Sequence, residues 1–131
     1  MPKNILFVCV ENAGRSQIAE AFFRKFAPNQ FNVSSAGTTP SSYLNPIVIQ
    51  VMNEIGIDVT QQSPKILSDN MINDSKTVNM GCMDKESCPA LFVNDALEWD
   101  ISDPKDQSIE QVRIIRDDIK SKVLELIDSL K

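Results

Sequence analysis

Asn4-Ile5-Leu6-Phe7-Val8-Cys9-Val10-Glu11-Asn12-Ala13-Gly14-Arg15-Ser16 is the stretch on which the reading of this chain turns. Residues 4–10, apolar from Ile5 on, read as a short buried strand, and 11–14 are small or polar. After Ser16 the apolar residues Ile18, Phe22 and Phe26 recur every four positions, as one stripe of a helix does. Strand, tight loop and helix therefore follow one another. Cys9 and Arg15 stand with five residues between them, and a hydroxyl residue comes next. A loop of that length can turn the backbone N–H groups of Val10, Glu11, Asn12, Ala13, Gly14, Arg15 and Ser16 inward, beside the positive end of the helix, where a tetrahedral dianion fits. Arg15 adds a planar fork for two oxygens, and the same positive field favours the thiolate of Cys9, to which Ser16 can donate a hydrogen bond. Against this stands a simpler reading, a buried strand cysteine followed by an ordinary helix-start arginine, because a Cys and an Arg at this spacing also arise by chance.

Outward from the loop, Phe31, Val33 and Ser35 alternate like a second strand that stops at Gly37. Asn45-Pro46 is a helix-start signal, and the helix it opens carries Ile47, Val48, Val51 and Ile55 until Gly56. Residues 76–80 read as a third strand and 96–101 as a fourth. Ser108 with Gln111 matches a capping box, and Val112, Ile115, Ile119, Val123, Leu126 and Leu130 keep a three-and-four spacing along one face of a C-terminal helix. Its polar face, with Arg113, Arg116, Asp117 and Lys120, reads as solvated surface. Strands alternating with helices predict an α/β fold, a single-domain three-layer sandwich around a four-stranded parallel sheet, with ligands at the carboxyl ends of the strands. Cys9 lies at such an end.

The 131 residues, 42% hydrophobic and without a composition break, suffice for one domain spanning 1–131. A formal charge of -5, with 13 Lys and Arg scattered among 18 Asp and Glu, leaves no basic face for nucleic acid. The apolar run at 5–10 is too short for a signal-peptide core or a membrane span, so a cytoplasmic protein, monomeric, is expected. Cys9, Cys82 and Cys88 are an odd number without a secretion signal, which argues against a structural disulfide framework. Histidine is absent, which removes the usual base of a Cys-His hydrolase and the commonest zinc ligand; no metal site is expected.

The loop 9–16, placed at a strand-to-helix junction near the N-terminus, resembles that of the low-molecular-weight protein tyrosine phosphatase superfamily. Asp103-Pro104, after the fourth strand, resembles the superfamily's general-acid loop, although Asp-Pro is also an ordinary turn pair. An Asp kept protonated there by partial burial near the thiolate is the expectation. Phosphate-ester hydrolysis needs one thiolate and a water, whereas reducing arsenate takes two electrons, which a pair of thiols supplies on becoming a disulfide. Cys82 and Cys88 provide further thiols, or are two buried small hydrophobes. Over residues 4–131 the chain is similar to the thioredoxin-coupled arsenate reductases.

That resemblance implies reduction of arsenate to arsenite, for arsenic detoxification. Cys9 would be the nucleophile, Arg15 and the loop amides would hold the oxygens, and Asp103 would protonate the one that leaves. Cys82 and Cys88 would carry the disulfide to reduced thioredoxin, with no bound cofactor and with phosphate or sulfate as competing oxyanions. Two departures stand out. Five residues separate Cys82 from Cys88 where the reductases usually have six. Members that bind potassium behind the loop match at Asn12, Glu20 and Ser35, but Lys65 falls near where an Asp is expected, so its ammonium takes the cation's place or is a solvated loop residue. The phosphatases of the fold carry aromatics just after Asp-Pro; here Lys105 and Asp106 follow, and the only tyrosine, Tyr43, is distant in sequence. A tyrosine phosphatase and a non-catalytic thiol redox sensor are the alternatives.

Overall fold

A computed structural model describes residues 4–80 and 97–130, so Cys82, Cys88 and Ala96 lie outside the described residues. The elements are β1 (Asn4–Cys9), α1 (Arg15–Phe26), β2 (Asn32–Gly37), α2 (Pro46–Asn53), α3 (Asp69–Asn73), β3 (Lys76–Asn79), β4 (Leu97–Glu98) and α4 (Ile109–Leu130). The strands form one parallel sheet in the order β2-β1-β3-β4, with Cys9 beside Gly37 and Val8 beside Asn79.

β1 is buried on both faces, which is why its sequence is a continuous apolar run and not an alternation. Ile5, Phe7 and Cys9 join the larger core with residues of α1, α2 and α4, while Leu6 and Val8 pack with Ala36 and with Ile72 of α3 on the opposite face. Helix, sheet and helix make the expected three layers. β1 has β2 on one side and β3 on the other, so the connections diverge at its carboxyl end, the position at which doubly wound sheets open a crevice.

Local signals explain most boundaries. The Asn45 side chain caps α2 by accepting from Ile47 N at 3.0 Å, and the turn after that helix closes at Gly56, whose φ of 80° suits a residue without Cβ. Ser108 Oγ accepts from Gln111 N at 3.2 Å at the start of α4, and Val112, Ile115, Ile119, Val123, Leu126 and Leu130 are all buried. α3 was not anticipated: five residues are too short for an apolar period, and only Ser68, capping Met71 N at 3.3 Å, marks its start. β4 is shorter than the 96–101 expected. Trp99 N still bonds Asn79 O at 2.8 Å, but beyond it the chain leaves the ladder.

The polar side of α4 is not simply solvated. Arg116 is buried, and its Nη1 donates to Val51 O at 2.9 Å and to Glu54 Oε1 at 3.1 Å. A guanidinium there meets the carbonyl end of α2, where positive charge is favoured. Arg113 adds a 2.6 Å bridge to Glu54, and Lys120 lies over the Phe26 ring. Among the described residues no helix is long and apolar enough to cross a membrane.

Candidate active site

Cys9 ends β1 and the loop after it turns directly into α1. The tightest restraint on that turn is at Gly37 of β2: a Cβ there would collide with the carbonyl oxygens of Val10 and Cys9, so the loop needs a glycine beside it. The segment following β2 then takes up the loop's carbonyls. Thr39 N bonds Val10 O, Ser41 N bonds Glu11 O and Asn45 N bonds Ala13 O, at 2.9, 2.9 and 3.0 Å. In a trans peptide the N–H opposes the C=O, so the amides of those same planes are directed away from that segment. Gly14, the residue before α1, contributes no side-chain cap, which leaves the first-turn donors of α1 available to a ligand.

The floor of the site is a buried polar cluster. Asn12 adopts the left-handed conformation, φ 53°, one that asparagine tolerates better than most residues. Its Oδ1 accepts from Gln17 Nε2 at 3.1 Å and from Lys65 N at 2.8 Å. The amide orientation is thereby set, and Nδ2 donates to Ser16 Oγ at 2.7 Å. Ser16 Oγ in turn lies 2.8 Å from Cys9 Sγ. Because Ser16 already accepts from Asn12, its own hydrogen is available to the sulfur, where it favours the thiolate.

Arg15 is held from the far side. Nη1 donates to Ile101 O at 3.1 Å and Met80 O at 3.3 Å, and Nη2 lies 3.5 Å from Asp103 Oδ2. The fork thus joins the loop, the end of β3 and the 101–103 segment. Asp103 does not have the expected partial burial: its side chain is 55% exposed, and Oδ1 accepts from Lys105 N at 3.0 Å.

Cys9, Val10, Glu11, Ala13, Gly14 and Arg15 open into a cavity of about 740 Å³ that Asp103 and Lys105 close on one side. The loop, Arg15 and Asp103 are brought together as the sequence suggested. The opposite wall was missed. Tyr43 and Ile47 line it, although Tyr43 seemed too distant to matter. Gln17, fully buried and bonded to Asn12, Ser63 and Gln62, was also missed. No local pattern marked it, because Arg15, Ser16 and Glu20 beside it in α1 are polar as well. Glu20, buried on α1, accepts from Ser35 Oγ at 2.7 Å and Arg24 at 2.6 Å, and Lys65 Nζ lies 3.8 Å away.

Residues 4–131 match the low molecular weight phosphotyrosine protein phosphatase family. An arsenate reductase of Staphylococcus aureus is 34% identical over 120 residues, covering 90% of this chain and 91% of the relative. Among solved structures, an arsenate reductase in the phosphate-binding state has a TM-score of 0.87 at 30% identity, over 98% of this chain and 99% of that one. A thioredoxin-dependent arsenate reductase of Corynebacterium glutamicum has a TM-score of 0.80 at 34% identity, over 98% of this chain and 61% of that one. By sheet order, by the thiol loop at the end of β1 and by these matches, the chain belongs to the low molecular weight phosphotyrosine protein phosphatase family.

Proposed function

We propose that the protein is an arsenate reductase that acts as a cytoplasmic monomer and draws its electrons from thioredoxin. The observation that carries this reading is the oriented chain from Asn12 through Ser16 to Cys9 Sγ, which favours a thiolate at the base of an anion cleft without any histidine. Its likeness to reductases along nearly their whole length supports arsenate as the oxyanion, and the thioredoxin-dependent relative supports the reductant.

In this mechanism the Cys9 thiolate forms a bond to arsenic while one hydroxyl oxygen of arsenate takes a proton from Asp103 and departs as water. Arg15 and the loop amides hold the remaining oxygens. Cys82, as thiolate, then attacks Cys9 Sγ. The new S–S bond forms as the S–As bond breaks, and its electron pair stays on arsenic, which falls from the +5 to the +3 state and leaves as arsenite. Cys88 attacks Cys82, freeing Cys9 and moving the disulfide to Cys82 and Cys88, where the dithiol of thioredoxin reduces it.

The test is NADPH oxidation with arsenate, thioredoxin and its reductase. Sustained turnover by the wild type and at most one turnover by Cys88→Ser are expected. Oxidation that does not depend on arsenate would point to a redox sensor instead. A second reading, phosphate-ester hydrolysis, has its own support in the Tyr43 and Ile47 wall, since the cavity is far larger than a bare tetrahedral oxyanion fills. Rapid aryl phosphate hydrolysis without arsenate-dependent oxidation would favour it. Behind the loop, the Lys65 ammonium near Glu20 takes the place of a cation.

A further inference from the structure

Glu11 and Lys105 come from opposite sides of the cleft, 94 residues apart, and meet at 2.9 Å across its mouth. Glu11 belongs to the anion loop, where a lone carboxylate would repel an incoming dianion. Lys105 belongs to the segment that bears Asp103, and its own backbone N–H holds Asp103 Oδ1. That segment has no strand or helix of its own between Trp99 and Ser108. A Cβ on Gly14 would lie 2.7 Å from Pro104 Cγ, so the segment rests directly on the loop. The hydrogen bond to Glu11 raises the pKa of Lys105 above its ordinary value, which favours its ammonium form.

We infer that the Glu11–Lys105 pair is a latch that positions Asp103 over Cys9 and cancels the charge of Glu11 on the path of the oxyanion. Both are positioning residues, because they act through Asp103 and through the field at the mouth. The inference rests on the assignment of Cys9 as nucleophile and Asp103 as proton donor. The two effects separate on mutation. Lys105→Met loosens the segment and exposes the charge of Glu11, whereas the double variant Glu11→Gln/Lys105→Met loosens it with no charge left behind.

The experiment measures inorganic phosphate binding by calorimetry and arsenate turnover for the wild type, Lys105→Met, the double variant and the charge swap Glu11→Lys/Lys105→Glu. Lys105→Met is expected to weaken phosphate binding about fivefold at low salt, an effect that fades as salt screens the charge. The double variant should bind phosphate within about twofold of the wild type yet keep a kcat lowered about fivefold or more, which the charge swap partly restores. Equal phosphate binding by Lys105→Met and the double variant overturns the inference, and so does a wild-type kcat in the double variant. Loss of arsenate turnover in the wild type itself would instead defeat the reductase assignment; phosphate binding, with aryl phosphate hydrolysis in place of arsenate turnover, still tests the latch.

Discussion

The floor and the rim of the cleft use polar residues in opposite ways. On the floor, Asn12, Ser16, Gln17, Glu20 and Ser35 are all buried and bonded to protein groups, Asn12 with Ser16 and Gln17, and Glu20 with Ser35. At the rim, Asp103, Lys105 and Tyr43 are exposed and Glu11 is half-buried; Glu11 pairs with Lys105, and Asp103 with Arg15. A buried polar group without a partner costs far more than an exposed pair gains, so the floor is rigid by necessity and the rim is adjustable. In the proposed mechanism the floor would prepare the nucleophile, while the rim would govern what approaches it and how the leaving oxygen is met.

The comparison breaks most visibly at Asn12. Asn12→Ala takes the acceptor from Lys65 N, removes one bond each from the Gln17 amide and Ser16 Oγ, and leaves alanine at positive φ, so a loss of about 2–4 kcal/mol is expected in urea unfolding. A loss below about 1 kcal/mol would mean that the floor is not the rigid part. Ser16→Ala removes the hydrogen bond to Cys9 and should slow iodoacetamide alkylation of Cys9 at neutral pH about tenfold, with little change in fold. At the rim, Tyr43→Ala should lower kcat/KM for an aryl phosphate about fivefold and leave arsenate reduction within about twofold, since only the larger substrate reaches that wall.

Two smaller effects sharpen the contrast. With the Lys65 ammonium beside Glu20, exchanging sodium for potassium should leave wild-type stability and activity unchanged, whereas Lys65→Met should become potassium-responsive. A severalfold potassium effect on the wild type would remove the cation-replacement reading. Away from the cleft, hydrogen bonding from Arg113 chiefly, then the charges of Arg113 and Arg116, lower the pKa of Glu54 from its ordinary 4.5. A carboxyl depressed in the folded state contributes stability above its ordinary pKa and loses it as pH falls through the lowered one. Glu54→Gln should therefore melt slightly earlier than the wild type at pH 7, with the gap closing in acid below about 4.5.

The parts of this molecule legible in the sequence are those whose cause is local. The cap residues Asn45 and Ser108 act within one helical turn, and the long apolar period of α4 exceeds any competing pattern. The strand, loop and helix from Cys9 to Ser16 were legible for the same reason, and the Ser16 hydroxyl does reach Cys9 Sγ. α3 escaped notice because its five residues bury only Ile72. Arg116 was misjudged because nothing near it in sequence announces the α2 carbonyl it neutralises.

Sequence alone therefore determined the sheet class and the position of the thiol loop, because hydrogen-bonding capacity and charge belong to residue types and short spacings. Only the tertiary structure decided which groups stand around that loop. It brought Tyr43 to the wall, set Asp103 in the open and paired Glu11 with Lys105, because such meetings follow from how separate strand ends converge at the carboxyl edge of one sheet.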